Sequence, residues 1–287
     1  MKVLPPLPPA IALDPLLQQW LLEDLGRGDR TTDAILVGSA AIGLAELRLK
    51  QTGVVAGLPL LERVFQRLDP HVAVKCFVRE GEAVDAGATV ATIEGSLAAL
   101  LTGERVALNL VMRLSGIATL TRRYAEAIED LPAQLVDTRK TTPGLRSLEK
   151  YATALGGARN HRFGLDDAVM IKDNHIAAAG GIAIAIQRVR QMSPFPLAIE
   201  VETETFAQVM EAVTHGADII MLDNMPVEQM KEAVEWIRAK NPLIKIEASG
   251  NVTLHNLRQI AQTGVDFVST SAPITQATWL DFSLRMV

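Results

Sequence analysis

Leu197-Ala-Ile-Glu-Val201, an apolar run of strand length, is followed by an amphipathic stretch and then by a second such run, Ile219-Ile-Met-Leu222. The same alternation recurs through the second half of the chain and decides the fold. Further strand candidates are Gln134–Val136, Ala168–Ile171, Ile244–Ile246 and Phe267–Val268, with helix candidates at Pro143–Leu155, Ile182–Met192, Thr205–His215, Pro226–Ala239 and Leu254–Thr263. Short apolar strands that alternate with amphipathic helices predict parallel βα units.

Polar residues at the strand ends distinguish an open sheet from a barrel. Each predicted strand ends in polar side chains that would face one mouth if the sheet curves, among them Arg139, Lys172 and Asp223. An open sheet is the alternative, but barrels place their chemistry at the carboxyl ends of their strands. The strand candidates number about six, fewer than the eight of a regular barrel. We therefore predict an α/β fold with an incomplete, open barrel of parallel strands.

The first part of the chain has a mixed pattern. Asp14-Pro15 predicts the N-cap and first turn of a helix that runs to Leu25. Residues 97–130 have the pattern of one long helix, in which Gly103 and Gly116 are candidate break points.

Composition excludes several classes of protein. The chain has 287 residues and a net charge of −5, and its basic and aromatic residues do not interleave, which argues against nucleic-acid binding. Cys76 is the single cysteine, so no internal disulfide can form and a reducing compartment is expected. Prolines interrupt the apolar N-terminal run, and no stretch has the length of a membrane span. We expect a soluble, cytoplasmic protein.

Cations gather between Asp137 and His175 although the protein as a whole is acidic. The cluster comprises Arg139, Lys140, Arg146, Lys150, Arg159, His161, Arg162 and Lys172. A local cluster of this kind predicts a site for a small polyanion. The alternative is a set of surface cations or ion-pair partners, which we prefer for Arg146, Lys150 and Arg159. For Arg139 and Lys172, which directly follow strands, anion binding is preferred, and for His161 both interpretations stay open.

Carboxylates follow the next two strands. Glu200 and Glu202 lie on the same side of one strand, and Asp223 ends the next one. Such groups can hold Mg²⁺ together with a substrate phosphate, or they can pair with the lysines across the mouth. We prefer the metal role for Glu202 and Asp223, while for Glu200 and Glu247 both roles stay open.

Ser249-Gly250-Asn251 follows the penultimate strand. A turn before a helix presents free backbone N–H groups to an anion, and late loops of barrels often hold a phosphate. We predict a phosphate site here, with Thr253 as the N-cap of the next helix, against the alternative of an ordinary turn.

The motifs Asp137-Thr-Arg-Lys-Thr-Thr-Pro-Gly, Asn160-His-Arg, Ile171-Lys-Asp-Asn-His, Glu200-Val-Glu, Leu222-Asp-Asn and Ser249-Gly-Asn resemble those of the quinolinate phosphoribosyltransferase family. The resemblance covers nearly the whole chain, including Glu23–Asp33 and Gly103–Asn109. It implies an N-terminal α/β sandwich domain at residues 1–115, completed by 272–287, and a barrel domain at 116–271. It also implies transfer of phosphoribose from phosphoribosyl pyrophosphate to quinolinate with loss of CO₂, in the presence of Mg²⁺.

The resemblance also implies roles for particular residues. Quinolinate is held by Thr138, Arg139, His161, Arg162 and Lys172, together with Arg105 from the partner subunit of a homodimer or larger assembly. The phosphoribosyl pyrophosphate site comprises Lys140, Glu202, Asp223, Ser249, Gly250, Asn251 and Ser271, with Glu202 and Asp223 as the metal ligands and Lys140, Lys172, Glu202 and Asp223 as the catalytic set. Near the last strand the chain departs from the family pattern, which puts a phosphate contact of Ser271 in question.

Two alternative functions remain at this point. One is a paralogue of the same fold that transfers phosphoribose to another acceptor. The other is a non-catalytic barrel that binds phosphorylated metabolites, which would need the Ser249-Gly250 turn but not the pair of Glu202 and Asp223.

Overall fold

The computed structural model describes residues 5–287 and contains two compact units. One unit comprises the described residues up to Arg122 together with Ser147–Gly156 and Gln276–Val287, and the other comprises Arg123–Arg146 and Gly157–Thr275. The domain boundary predicted at residues 115 and 116 stays a prediction. Residues 1–4 of the proline-interrupted N-terminal run lie outside the described residues.

The helices are α1 Ala10–Leu25, α2 Arg30–Ile35, α3 Leu58–Gln66, α4 Leu97–Glu126, α5 Arg146–Gly156, α6 Asp173–Ala179, α7 Ile182–Met192, α8 Phe206–Thr214, α9 Val227–Lys240, α10 Leu257–Ala261 and α11 Ala272–Thr275. The strands are β1 Ile42–Leu49, β2 Gly53–Val54, β3 Ala73–Cys76, β4 Ala83–Val84, β5 Thr89–Ser96, β6 Gln134–Val136, β7 Val169–Ile171, β8 Ile199–Thr203, β9 Ile219–Asp223, β10 Lys245–Ser249, β11 Phe267–Ser269 and β12 Phe282–Met286. Among the described residues, no helix is both long enough and apolar enough to cross a membrane.

The first unit is built on a four-stranded antiparallel sheet in the order β12-β1-β5-β3. Alternate side chains of β1, Ala45, Leu47 and Leu49, are buried, as expected for a sheet with one face on the core. Helix α1 buries Leu13 and Leu17, which are four residues apart and so lie on one face.

Two helix predictions in this unit are wrong. Helix α1 begins at Ala10 and contains Pro15, and Asp14 pairs with Arg63 at 2.7 Å instead of capping the helix. Helix α4 runs through Gly103 and Gly116 without a break. A Cβ at Gly116 would lie 2.0 Å from the carbonyl oxygen of Thr278, so this glycine permits a close approach of two backbones.

The second unit confirms the predicted open α/β barrel. Its six strands form one all-parallel sheet in the order β6-β11-β10-β9-β8-β7, with β6 and β7 at the two edges. The strand interiors are apolar and buried, as in Ile220, Leu222 and Ile246. Because all six strands run in one direction, their carboxyl ends and the polar residues that follow them meet at one end of the sheet.

Candidate active site

A cavity of about 500 Å³ lies at the carboxyl ends of the barrel strands. The predicted site residues on its lining are Thr138, Arg139, Lys140, His161, Arg162, Lys172, Glu202, Asp223, Ser249, Gly250 and Asn251. The volume suits a small-molecule substrate. The structure thus brings the cations, the carboxylates and the Ser249–Asn251 turn to one place.

Arg162 and His161 lie on the segment that leads to β7. Arg162 donates a hydrogen bond from Nη1 to the carbonyl oxygen of Ala168 at 2.8 Å, which fixes its guanidinium. Burial and the neighbouring charge of Arg139 lower the pKa of Arg162, while Glu200 acts in the opposite direction. Two cations close together in a partly buried site are stabilised by an anion placed between them.

Asp137, which is 2% exposed, organises the same segment from the end of β6. Its carboxylate accepts hydrogen bonds from the backbone N–H of His161 at 2.8 Å and from Asn160 Nδ2 at 2.7 Å. Since both donors lie on the loop that carries Arg162, Asp137 holds this loop against the strand. The Asn160-His161-Arg162 segment is therefore positioned by a buried carboxylate.

His161 contacts two buried glutamates, Glu200 and Glu247, of which Glu247 also lines the cavity. Its Nδ1 accepts the backbone N–H of Arg162 at 2.7 Å, and its Nε2 lies 3.1 Å from Glu200 Oε2 and 3.6 Å from Glu247 Oε2. Burial and the adjacent Glu200 carboxylate raise the pKa of Glu247 to about 7, although His161, Ser269 and Lys172 act to lower it. The nitrogen and oxygen atoms with which these three side chains could bind a metal ion lie within 4.8 Å of one another.

Lys172 and Glu202 form an ion pair at the cavity wall. Lys172 is the residue before α6, and its backbone N–H donates to Nδ1 of His175 at 3.0 Å, so His175 serves the start of a helix. The cation predicted to bind substrate is thus already paired with a carboxylate predicted to bind metal. Binding of a dianion to Lys172, or of a metal cation to Glu202, would replace this ion pair with a contact to the bound ion.

Asp223 and the Ser249–Asn251 turn lie side by side, because Ser249 pairs in register with Asp223. Gly250 has φ 91° and Asn251 has φ 50°, both in the left-handed region. Successive residues of this kind turn backbone N–H groups toward a common point, which suits an anion. Helix α10 begins only at Leu257, so Thr253 is not its N-cap as predicted.

Two predicted site residues are not on this lining. Among the described residues that line the cavity, the last strand contributes Ser269 and not Ser271. The backbone carbonyl of Ser271 instead accepts hydrogen bonds at the start of α11. Arg105 belongs to the first unit, where it lines a cleft of about 410 Å³ with Asp24, Asp29 and other residues.

Several lining residues were not assigned from the sequence. Met170, Met221 and Asn224 all face the cavity. The two methionines lie within apolar strands, where the pattern gives no sign of which face they take. Lys150, interpreted as a surface or paired cation, is fully buried in α5 and so is not on the surface.

The fold and the site define an enzyme of the open α/β-barrel class that binds small anionic substrates. Models of the N-terminal and C-terminal domains of quinolinate phosphoribosyl transferase match residues 29–115 and 117–285. The chain belongs to the quinolinate phosphoribosyl transferase family, as the sequence motifs predicted.

Similar proteins support this assignment. The chain is 60% identical over 281 residues to a probable nicotinate-nucleotide pyrophosphorylase [carboxylating] of Synechocystis, covering 98% of this chain and 95% of that protein. It is 43% identical over 274 residues to the protein of the same description from Bacillus subtilis, covering 96% and 93%. The crystal structure of NadC from Streptococcus pyogenes superposes with a TM-score of 0.93 at 40% identity, covering 99% of each chain.

Proposed function

We propose that this protein transfers the phosphoribosyl group of phosphoribosyl pyrophosphate to quinolinate and releases pyrophosphate and CO₂, giving nicotinate mononucleotide for NAD biosynthesis. The observation that carries the proposal is the meeting of three kinds of group on one cavity: the arginines, the carboxylates of Glu202 and Asp223, and the left-handed turn at Gly250. A dianionic acceptor, a developing cation and a phosphate each need one of these.

Quinolinate is assigned to the cationic side. Arg139 and Arg162 provide planar guanidinium groups that match carboxylates bidentately. Thr138, His161 and Lys172 line the same cavity and complete the proposed quinolinate site. A monocarboxylate acceptor would leave part of the cationic charge unpaired, so the arrangement favours a dicarboxylate.

Phosphoribosyl pyrophosphate is assigned to Lys140, the carboxylates and the Ser249–Asn251 turn. The backbone of Ser249, Gly250 and Asn251 would receive the 5′-phosphate, and Lys140 the departing pyrophosphate. As the pyrophosphate leaves, positive charge grows at ribose C1, and Glu202 and Asp223 stabilise it. The pyridine nitrogen, held by the arginines, then attacks that carbon.

The decarboxylation follows from the new bond. Alkylation makes the pyridine nitrogen positive, and this charge stabilises the carbanion left at the adjacent carbon when CO₂ departs. The site must therefore hold the intermediate until the carbanion takes up one proton from a side chain or from water.

Mg²⁺ is the proposed cofactor. Glu202 and Asp223 present carboxylate oxygens to the same cavity, a donor set that fits a hard divalent cation bound with substrate phosphates. When bound, the ion would neutralise charge on the pyrophosphate leaving group.

A homodimer or larger assembly in the cytoplasm is also proposed. Arg105 lines a cleft in the first unit, and its proposed role is to complete the quinolinate site of a partner subunit. Light scattering at several concentrations, together with restoration of activity in mixtures of Arg105→Ala and Arg139→Ala chains, tests this arrangement.

The unpaired Cys76 supports the proposed location in a reducing compartment such as the cytoplasm.

Measurement of pyrophosphate release with different acceptors tests the proposed activity. Release with quinolinate and none with nicotinate is the expected result. Pyrophosphate release with another acceptor would favour the paralogue function. Saturable binding of phosphoribosyl pyrophosphate without release of pyrophosphate would favour a non-catalytic barrel.

A further inference from the structure

Asn224 has an unusual backbone for a residue with a side chain. Among the described residues only Asn224, with φ 53°, and Asn251, with φ 50°, are non-glycine residues in the left-handed region. Both line the active-site cavity. Residues held in this region tend to occur at functional sites, where the surrounding structure maintains them.

The amide of Asn224 joins two parts of the site that come from different strands. Its Nδ2 donates to Asp223 Oδ2 at 2.7 Å, and its Oδ1 accepts from Asn251 Nδ2 at 2.9 Å. Because a carboxylate only accepts hydrogen bonds, the contact with Asp223 determines which end of the amide faces each neighbour. The backbone N–H of Asn224 also donates to the carbonyl oxygen of Ser249 at 2.9 Å.

The turn is shaped to admit this side chain. A Cβ at Gly250 would lie 2.3 Å from Asn224 Oδ1, so only glycine leaves room for the amide. Asn256 Nδ2 supports the turn from the other side by donating to the carbonyl oxygen of Asn251 at 3.1 Å. Asn224 is therefore packed into the turn as well as hydrogen-bonded to it.

We propose that Asn224 is a positioning residue that fixes the Asp223 carboxylate relative to the Ser249–Asn251 turn, so that ribose C1 and the 5′-phosphate are held in one register. This inference rests on the proposed assignment of Asp223 to the ribose and of the turn to the phosphate. Loss of the amide frees the carboxylate and the turn to move separately. The quinolinate side shares none of these contacts.

Two substitutions of Asn224 test the hydrogen bonds made by the two ends of its amide. Asn224→Gly removes both hydrogen bonds, and glycine takes the left-handed backbone without strain, so the unfolding temperature is expected to stay close to that of the wild type. Asn224→Asp keeps an acceptor for Asn251 but places a second carboxylate oxygen against Asp223. Asn241→Gly is the control, because Asn241 is the C-cap of α9, before β10, and its side-chain oxygen accepts a local hydrogen bond from the backbone N–H of Leu243.

The measurements are kcat and the affinity for ribose 5-phosphate, used as an unreactive probe of the phosphate site in calorimetry. In Asn224→Gly we expect kcat to fall roughly tenfold and the Kd for ribose 5-phosphate to rise roughly fivefold, with the KM for quinolinate unchanged. In Asn224→Asp we expect kcat to fall and the affinity for ribose 5-phosphate to be retained. A structural role alone would lower stability and move all constants together.

Gly250→Ala separates failure of this inference from failure of the phosphate assignment, because a Cβ in this left-handed turn displaces the backbone N–H groups that are assigned to the phosphate. Unchanged ribose 5-phosphate binding in Gly250→Ala would overturn the phosphate assignment and the inference with it. Weaker binding in Gly250→Ala, together with wild-type binding in Asn224→Gly, would overturn the inference alone. Asn251→Gly removes the same hydrogen bond from its other end, so a double variant with Asn224→Gly that loses less binding energy than the sum of the two single variants supports the coupling.

Discussion

Glu247→Gln is expected to stabilise the protein at alkaline pH and to have little effect at acid pH. Glu247 is 3% exposed, and its Oε1 has no hydrogen-bond partner among the described residues. Burial and the Glu200 carboxylate raise its pKa from 4.5 to about 7. This rise corresponds to about 3 kcal/mol of unfolding free energy.

The sign of the effect follows from proton binding. Between pH 4.5 and about 7 the folded protein holds the Glu247 proton that the unfolded chain has released, so stability falls as pH rises through this range. Above about pH 7 the folded protein carries an additional buried carboxylate beside Glu200, and the stabilisation that the bound proton provided is lost. Glutamine has the same shape and cannot ionise, so the unfolding free energy of the variant does not fall in this way.

Urea unfolding at pH 5 and pH 8, at one protein concentration, measures the difference. We expect the Gln variant to exceed the wild type by up to about 3 kcal/mol at pH 8 and by much less at pH 5. Glu228→Gln is the control, because Glu228 is 82% exposed and its change should stay within about 0.5 kcal/mol at both pH values. An equal difference at both pH values, or a less stable variant at pH 8, would show that Glu247 does not hold a proton in the folded protein at pH 5.

Three further predictions concern substrate, metal and packing. Arg162→Ala should raise the KM for quinolinate roughly 30- to 150-fold, which corresponds to about 2–3 kcal/mol of lost binding free energy, and leave the KM for phosphoribosyl pyrophosphate nearly unchanged. Steady-state kinetics check this, and equal losses for both substrates would contradict the assignment of Arg162 to quinolinate. Removal of divalent metal with EDTA should abolish turnover and added Mg²⁺ should restore it, whereas full activity in metal-free buffer would contradict the carboxylate–metal site. Gly116→Ala should destabilise the protein by about 2–3 kcal/mol, because its Cβ would lie 2.0 Å from the carbonyl oxygen of Thr278; an unchanged urea midpoint would show that the helix can shift without loss.

The strands of the barrel were predictable because their signal is local. Strand β9 was predicted at Ile219–Leu222 and is found at Ile219–Asp223, and helix α8 was predicted at Thr205–His215 and is found at Phe206–Thr214. Apolar runs bounded by polar residues define these elements without reference to the rest of the chain. The parallel direction of the strands then places their polar ends together.

The errors arose where distant segments determine the structure. Gly116 has the local signature of a helix break, but the close approach of Thr278 explains the glycine. Asp14 has the signature of an N-cap, but it pairs with Arg63 on another helix. No pattern near either residue encodes these contacts.

In the candidate site, too, the residues with a local sequence signal were predictable and those defined by distant contacts were not. Charged residues at strand ends, such as Arg139, Lys172 and Asp223, were identified from their positions alone, and the structure places them on one cavity. Asn224 was missed because an asparagine after a strand has no chemical signature until its left-handed backbone and its two partners are visible. The role of Arg105 depends on family resemblance and on a second subunit.

One cavity is proposed to couple phosphoribosyl transfer to decarboxylation. The most direct test incubates the purified protein with phosphoribosyl pyrophosphate, Mg²⁺ and quinolinate labelled in the carboxylate next to the ring nitrogen. We expect one labelled CO₂ and one pyrophosphate for each nicotinate mononucleotide, and no CO₂ when phosphoribosyl pyrophosphate is omitted. A mononucleotide that retains the label, or no mononucleotide at all, would rule out this coupling.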